Sequence, residues 1–285
     1  MLDAIKLGVV SLAAVAGCVA ATDGPVAVTP AQEAYVANVD AVADDAMWSG
    51  VASVASEPSS DTTTASASSD STNVATPGAL ANAAAASAAG NVDKYYLPAG
   101  CAKARAYGAT VTYSLNHCSG PLGIMNMNGT ISVIFAPQAT SSSGLLVEAS
   151  ANDFRAGAHT ISFDRQGVFT TKDMTGSLQI VGDDMSSTGP EGNMTYRTDQ
   201  GTLTWAADST CRTKDSTVEV TLMGKSYTVT EKSVRRCINQ CPKSGTVTFA
   251  GGNGSGITLS YNGSPTLTAA TTEGVLGTAT LTCGE

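Results

Sequence analysis

Between residues 19 and 92 the chain has no lysine, arginine or histidine, although that stretch holds eight acidic side chains. Nucleic-acid binding draws on clustered cations that displace counterions from phosphates, so this part of the chain is excluded as such a surface. It offers no polybasic patch for anionic lipid either. Aromatic residues make up only 5% of the whole sequence, and there are two histidines, His117 and His159. No Gly-x-Ser-x-Gly elbow, His-x-x-x-His pair or Cys-x-x-Cys pair occurs, which removes the usual marks of a serine hydrolase of that type and of a zinc site. No cofactor, metal ion or nucleic-acid partner is therefore expected. Beyond the first sixteen residues, no apolar run approaches the roughly 20 residues that a membrane-spanning helix needs.

What is present begins with Leu7 to Ala16, an apolar core broken only by Gly8 and Ser11 and preceded by Lys6 and the terminal amine. These are the proportions of a secretory signal. Val15-Ala16-Gly17-Cys18 follows, and these four residues resemble the lipobox of bacterial lipoproteins, in which the cysteine is acylated and its amine becomes the new N-terminus. The resemblance implies a signal peptide over residues 1–18 and lipidation at Cys18. More than one acyl chain on that residue would hold the chain stably at a membrane surface. Val19, in place of the aspartate that resembles an inner-membrane retention signal, implies the bacterial outer membrane or cell surface. Ordinary cleavage after Ala21 would instead give a periplasmic or secreted protein.

Residues 19–92 are rich in Ala, Ser and Thr and are expected to be a largely disordered linker. Thr29-Pro30-Ala31-Gln32 has the form of a helix start, and Tyr35, Val39, Val42, Ala46 and Met47 recur at helical spacing up to Gly50. A marginal helix in a solvated spacer is expected there, with docking onto the folded domain as the alternative. Thr76-Pro77 should start an alanine-rich helix that runs through Ala89 and stops at Gly90.

From residue 93 to 285 the charge balance changes to fifteen acidic and fourteen basic side chains, and the hydrophobic period changes to two. Val111, Tyr113 and Leu115 alternate with polar residues, as do Ile131, Val133 and Phe135, and glycines punctuate the series. Such a pattern predicts an all-β domain, an antiparallel meander folded as a sandwich or a partly open barrel, with a single long sheet as the remaining arrangement. Asp199-Gln200-Gly201 reads as a turn between Tyr196 and Leu203, and the run from Gly251 to Gly256 as a hairpin loop. Trp205 alternates with Leu203 and is expected in the core.

Seven cysteines leave six once Cys18 is lipidated or removed. Those six, Cys101, Cys118, Cys211, Cys237, Cys241 and Cys283, fit three disulfides in an oxidising compartment. Cys211 and Cys237 are equidistant from Gly224, so a regular hairpin there places them opposite one another. Cys101 and Cys118 flank Gly108-Ala109, which leaves Cys241 with Cys283.

Few residues invite chemistry. Asp183-Asp184 reads as an acidic, solvated loop whose oxygens could hold calcium. Asp153, His159 and a serine could assemble a hydrolytic triad, since triads are set by geometry and not by chain order. Asn116-His117-Cys118, the run from Gly189 to Asn193, and Arg236-Cys237 through Val247 make the C-terminal part similar to uncharacterised exported β-rich lipoproteins of myxobacteria and relatives. That likeness implies architecture and carries no activity. The function expected is that of a membrane-anchored, non-enzymatic lipoprotein that binds, adheres or builds the envelope, its partner an unknown protein or envelope polymer; the alternative is a small exported hydrolase using His159.

Overall fold

The computed structural model describes residues 44, 46–49, 51, 77–120, 126–138, 144–189, 192–206, 209–222, 225–238, 240–251, 256–271 and 274–280. The lipobox, Cys18, the run from Ser53 to Ser71 and Cys283 lie outside them. Helix α1, Pro77–Gly90, and the single turn α2, Val92–Tyr95, precede thirteen strands. The strands are β1 Ala102–Tyr107, β2 Thr110–Cys118, β3 Met127–Pro137, β4 Leu145–Ala156, β5 His159–Lys172, β6 Thr175–Gly189, β7 Gly192–Ala206, β8 Cys211–Leu222, β9 Lys225–Cys237, β10 Ser244–Gly251, β11 Gly256–Ser260, β12 Thr266–Thr271 and β13 Gly274–Thr280.

All thirteen form one antiparallel sheet in chain order, so the meander expected from the period-two pattern is the fold. Connections as short as two residues explain that order, because only antiparallel neighbours can be joined so briefly. Gly108 takes φ 57° in the β1–β2 turn, and Asp173 and Met174 take φ 49° and 57° between β5 and β6, the left-handed pair that a tight hairpin turn needs. β1 and β13 each pair with one strand, β2 and β12, and not with each other, so the barrel is open.

The strands are longer than the sequence pattern suggests, because bulges replace turns. β7 runs unbroken through Asp199-Gln200-Gly201, where a turn is expected from the sequence, with a register shift between Thr198 and Gln200. β5 likewise runs unbroken from His159 to Lys172, the register shift between Gln166 and Gly167 coming from an extra residue, Val181, in β6. An extra residue twists and bends a strand without ending it, and in sequence it looks the same as a loss of alternation. β10 and β11 pair antiparallel up to Ala250 and Gly256, the hairpin expected on either side of this glycine-rich run.

One face of the sheet is buried throughout, with Tyr113, Phe135, Phe154, Leu203, Trp205 and Val247 among its core. The expected alanine-rich helix is α1, and it is packed: Ala81, Ala84, Ala85 and Ala88 are buried at helical spacing, against β1, β2 and β3. Packing supplies the stability that an isolated alanine helix of this length lacks.

The second helical stretch differs from the expectation of a solvated spacer. Asp44, Ala46, Met47, Trp48, Ser49 and Val51 are helical and all buried. This Asp44 helix spans the inner face: Ser49 Oγ lies 3.3 Å from Tyr96 Oη, while Trp48 lies 5.6 Å from the Tyr95 ring and beneath the Arg212 guanidinium of β8. Strands β2 and β8 would stand about 29 Å apart in a flat sheet. Ser49 reaches Tyr96, whose ring lies 5.8 Å from Tyr113 of β2, while the adjacent Trp48 lies under Arg212 of β8, so the sheet curls around the helix.

Candidate functional site

The inward rows of β5, β6, β8 and β9 carry charged residues among apolar ones. In β5, Ile161, Phe163, Arg165, Gly167 and Phe169 all point inward; in β8, Arg212, Lys214 and Ser216 precede Val218 and Val220 on the same face. Strand parity, which buries the apolar residues, buries the charges with them. Arg165, Asp183, Arg212, Lys214, Glu231 and Asp44 are each at most 8% exposed.

These groups converge. Arg165 stands opposite Asp183 in the β5–β6 ladder. Its Nε donates to Asp183 Oδ1 at 2.8 Å and its Nη2 to Oδ2 at 2.7 Å, the parallel two-point geometry that guanidinium and carboxylate favour. Arg165 Nη1 also donates to Asp44 Oδ1. The other oxygen, Asp44 Oδ2, lies 2.8 Å from Lys214 Nζ and 3.4 Å from Arg212 Nη1. Lys214 Nζ is 2.6 Å from Glu231 Oε2, which also accepts a hydrogen bond from Ser216 Oγ at 2.9 Å. A buried ion costs several kcal/mol to desolvate, and pairing of this quality is what makes such a cluster tolerable.

A local irregularity sets part of the geometry. The β8–β9 register shifts between Lys214 and Ser216, with two residues of β9, Lys232 and Ser233, against Asp215 alone. Ser233 has φ 50° and its backbone N–H donates to Asp215 Oδ1 at 2.8 Å. The extra residue resets the parity of β9, so that Glu231 on one side of the bulge and Val234 and Arg236 on the other all point inward.

Around the cluster the interior is dry enough to perturb phenols. Burial pushes Tyr95 up to about 12 and raises Tyr113 well above its ordinary value, the neighbouring Tyr96 adding to the latter. Tyr261 is raised by burial too, against the pull of Arg236, whose guanidinium lies 5.9 Å from the ring centre.

Of the residues that the sequence singles out for chemistry, Asp183 joins this cluster and the others fall elsewhere. Asp183-Asp184 is not a loop: both lie in β6, and Asp183 is turned inward to Arg165. A carboxylate spent on a guanidinium is no calcium ligand, and no cluster of three metal-binding side chains occurs among the described residues. Asp184 is exposed beside a shallow polar groove lined by Asn152, Ser162, Asp164, Gln166 and Ser186 on the outward face of β4, β5 and β6. Asp164 and Asp184 stand directly opposite one another in that groove, where like charges repel.

His159 opens β5 opposite Ala156. Asp153 sits in the bulge beyond two further rungs, Arg155 with Thr160 and Phe154 with Ile161, about 10 Å along the strand. Its backbone N–H donates to Ser162 Oγ at 3.0 Å, so Asp153 and His159 are not brought to one serine as a triad requires. His117, with φ 56°, holds Asn116 Oδ1 at 2.8 Å through Nδ1 at an exposed edge.

Two cysteine pairs stand where the spacing puts them. Cys211 is opposite Cys237 in the β8–β9 ladder and bonded to it, and Cys101 is bonded to Cys118. Cys241 is also in a disulfide. The buried charges had a legible sign that the spacing argument passes over: each occupies a position whose parity matches the apolar residues of its strand. Asp44 had none, because its partners lie more than 120 residues away. Comparison of the chain with protein-family models, with curated proteins and with solved structures finds no match.

Proposed function

We propose that this chain is an exported lipoprotein, held at a membrane surface through Cys18, whose β domain is a non-enzymatic binding, adhesion or envelope-structural module. The observation that carries the reading is the burial of Asp44. The segment that follows the lipobox ends in the interior of the domain, bound by three cations, so the fold includes part of the tether. A firm attachment of this kind suits a domain held under an anchor. Supporting this, the groove on the outward face of β4–β6 is lined mainly by polar side chains, among them Asn152, Ser162, Asp164, Gln166 and Ser186. Hydroxyl- and amide-rich surfaces of this kind suit a hydrated envelope polymer or a polar protein face.

Metabolic acyl labelling of the wild type and Cys18→Ala tests the anchor. Label on the wild type alone, with release of the variant from the membrane fraction, supports it. Equal labelling of both removes lipid from the account.

A further inference from the structure

Lys214 Nζ, Asp44 Oδ2 and Glu231 Oε2 form a buried row, amine to acid at 2.8 Å and amine to second acid at 2.6 Å, with side chains 4%, 2% and 5% exposed. An amine and a carboxyl group in contact, excluded from water and next to a group able to move a proton, are the reactants and catalyst of amide formation. We propose that Lys214 and Asp44 condense without an external enzyme, giving an isopeptide cross-link between the Asp44 helix and β8, with Glu231 as the proton carrier.

The atoms balance as follows. The Lys214 ammonium gives a proton to Glu231, and the resulting amine attacks Asp44 Cγ, forming the C–N bond. Glu231 passes that proton to Asp44 Oδ2, and the second amine proton follows it by the same route. The Cγ–Oδ2 bond breaks and one water leaves. Nothing is oxidised or reduced, and Glu231 ends as it began.

Roles are distinguished by the surroundings. Arg165 Nη1 donates to Asp44 Oδ1, the oxygen that carries negative charge in the tetrahedral intermediate, and donors fixed at that position act as an oxyanion hole. Arg212 attends the leaving oxygen. Glu231 has neither arginine in its described contacts and accepts from Ser216 instead, which suits a proton carrier. Contact enforced by the fold replaces a bimolecular encounter, an advantage worth up to about 10⁵–10⁸ M in effective concentration. Condensation also removes one cation and one anion from a low-dielectric interior, relieving a desolvation cost that water-exposed pairs do not bear. The bond would carry load from the tether directly into β8. It forms whether or not Cys18 is acylated, so its test is independent of the anchor.

The decisive measurement is the intact mass of the full chain, purified after export, reduced and alkylated. The expected wild-type mass is short by one water, and digestion after glutamate yields a branched peptide joining residues 34–57 to residues 192–219 through Asp44 and Lys214. Lys214→Arg keeps the charge and restores the full mass; Glu231→Gln leaves most molecules uncondensed. Wild-type chain at its full mass with an unmodified Lys214 overturns the proposal, as does a branch at Glu231 in place of Asp44. Because the wild type gives the answer, failure of a variant to fold does not obscure it.

Discussion

Arg165 and Asp183 face each other across the β5–β6 ladder and are joined by two parallel hydrogen bonds of 2.8 and 2.7 Å, both side chains wholly buried. Removing Asp183 alone leaves an excess of cation in the buried cluster, Arg165, Arg212 and Lys214 against Asp44 and Glu231. Asp183→Ala is therefore expected to destabilise the domain by about 3–5 kcal/mol, whereas replacing Arg165 and Asp183 together by Met and Leu costs much less. Urea unfolding of the two variants checks this, and equal losses would contradict it.

Gly176 stands opposite Trp205 in the β6–β7 ladder, and the indole occupies the space a side chain would take. A Cβ built on Gly176 would lie 2.4 Å from the ring. The ring also stacks on Phe169, with centroids 5.8 Å apart, which restricts where it can move. Gly176→Ala is expected to lower stability by about 1–3 kcal/mol through overpacking, with a change in the near-ultraviolet dichroism of Trp205. An unaltered spectrum with unaltered stability would show that the ring has room to move.

Trp48 is the largest fully buried side chain and comes from the tether. Trp48→Ala should cost about 3–5 kcal/mol. Limited proteolysis should then cut the chain ahead of α1 at protease levels that leave the wild type intact, because the variant helix leaves its seat more often. If condensation between Asp44 and Lys214 is complete, the released N-terminal piece stays attached to the β domain on a denaturing gel.

Alkaline pH should destabilise the fold in a defined window. The folded-state values of Tyr95, Tyr113 and Tyr261 are raised by burial, so their neutral forms contribute stability that is fully present below the ordinary phenol value near 10 and is lost as pH rises above it. For Tyr95 the loss extends to about 12. Phenolate absorbance on titration should show these rings ionising only as the protein unfolds. Ionisation of every tyrosine near 10 in folded protein would contradict the burial.

The disulfides close loops of 17 and 26 residues. In the chain-entropy account both contribute about 3–4 kcal/mol, differing by only a few tenths. Cys101→Ser/Cys118→Ser and Cys211→Ser/Cys237→Ser should thus lower the melting temperature by similar amounts. A much larger loss for the second pair would point to its place beside the charged cluster.

Local sequence made a good deal of this legible. Alternation over Val111, Tyr113 and Leu115, and its repeats, is a strand signal that needs no knowledge of the partner strand. Equal spacing of Cys211 and Cys237 about Gly224 points to the disulfide by counting, but the turn pairs Leu222 with Lys225, and it is the extra residue at Ser233 that brings Cys237 opposite Cys211. Counting fails where a bulge looks like a turn, as at Asp199, because both interrupt the period and only the neighbouring strand tells them apart. Asp183-Asp184 misleads for a related reason. A pair of acids between apolar runs reads as solvent-facing until the strand is seen to continue and Arg165 to stand opposite.

Sequence by itself determined the antiparallel meander, the alanine-rich helix from Pro77 and the two cysteine pairs, all of which depend on residues near one another in the chain. Only the tertiary structure decided that the sheet is open and curled, that the Asp44 helix lies within it, and that Asp44, Lys214 and Glu231 meet. Curvature sums small twists over thirteen strands, and the meeting joins residues up to 187 positions apart, so no local pattern encodes either.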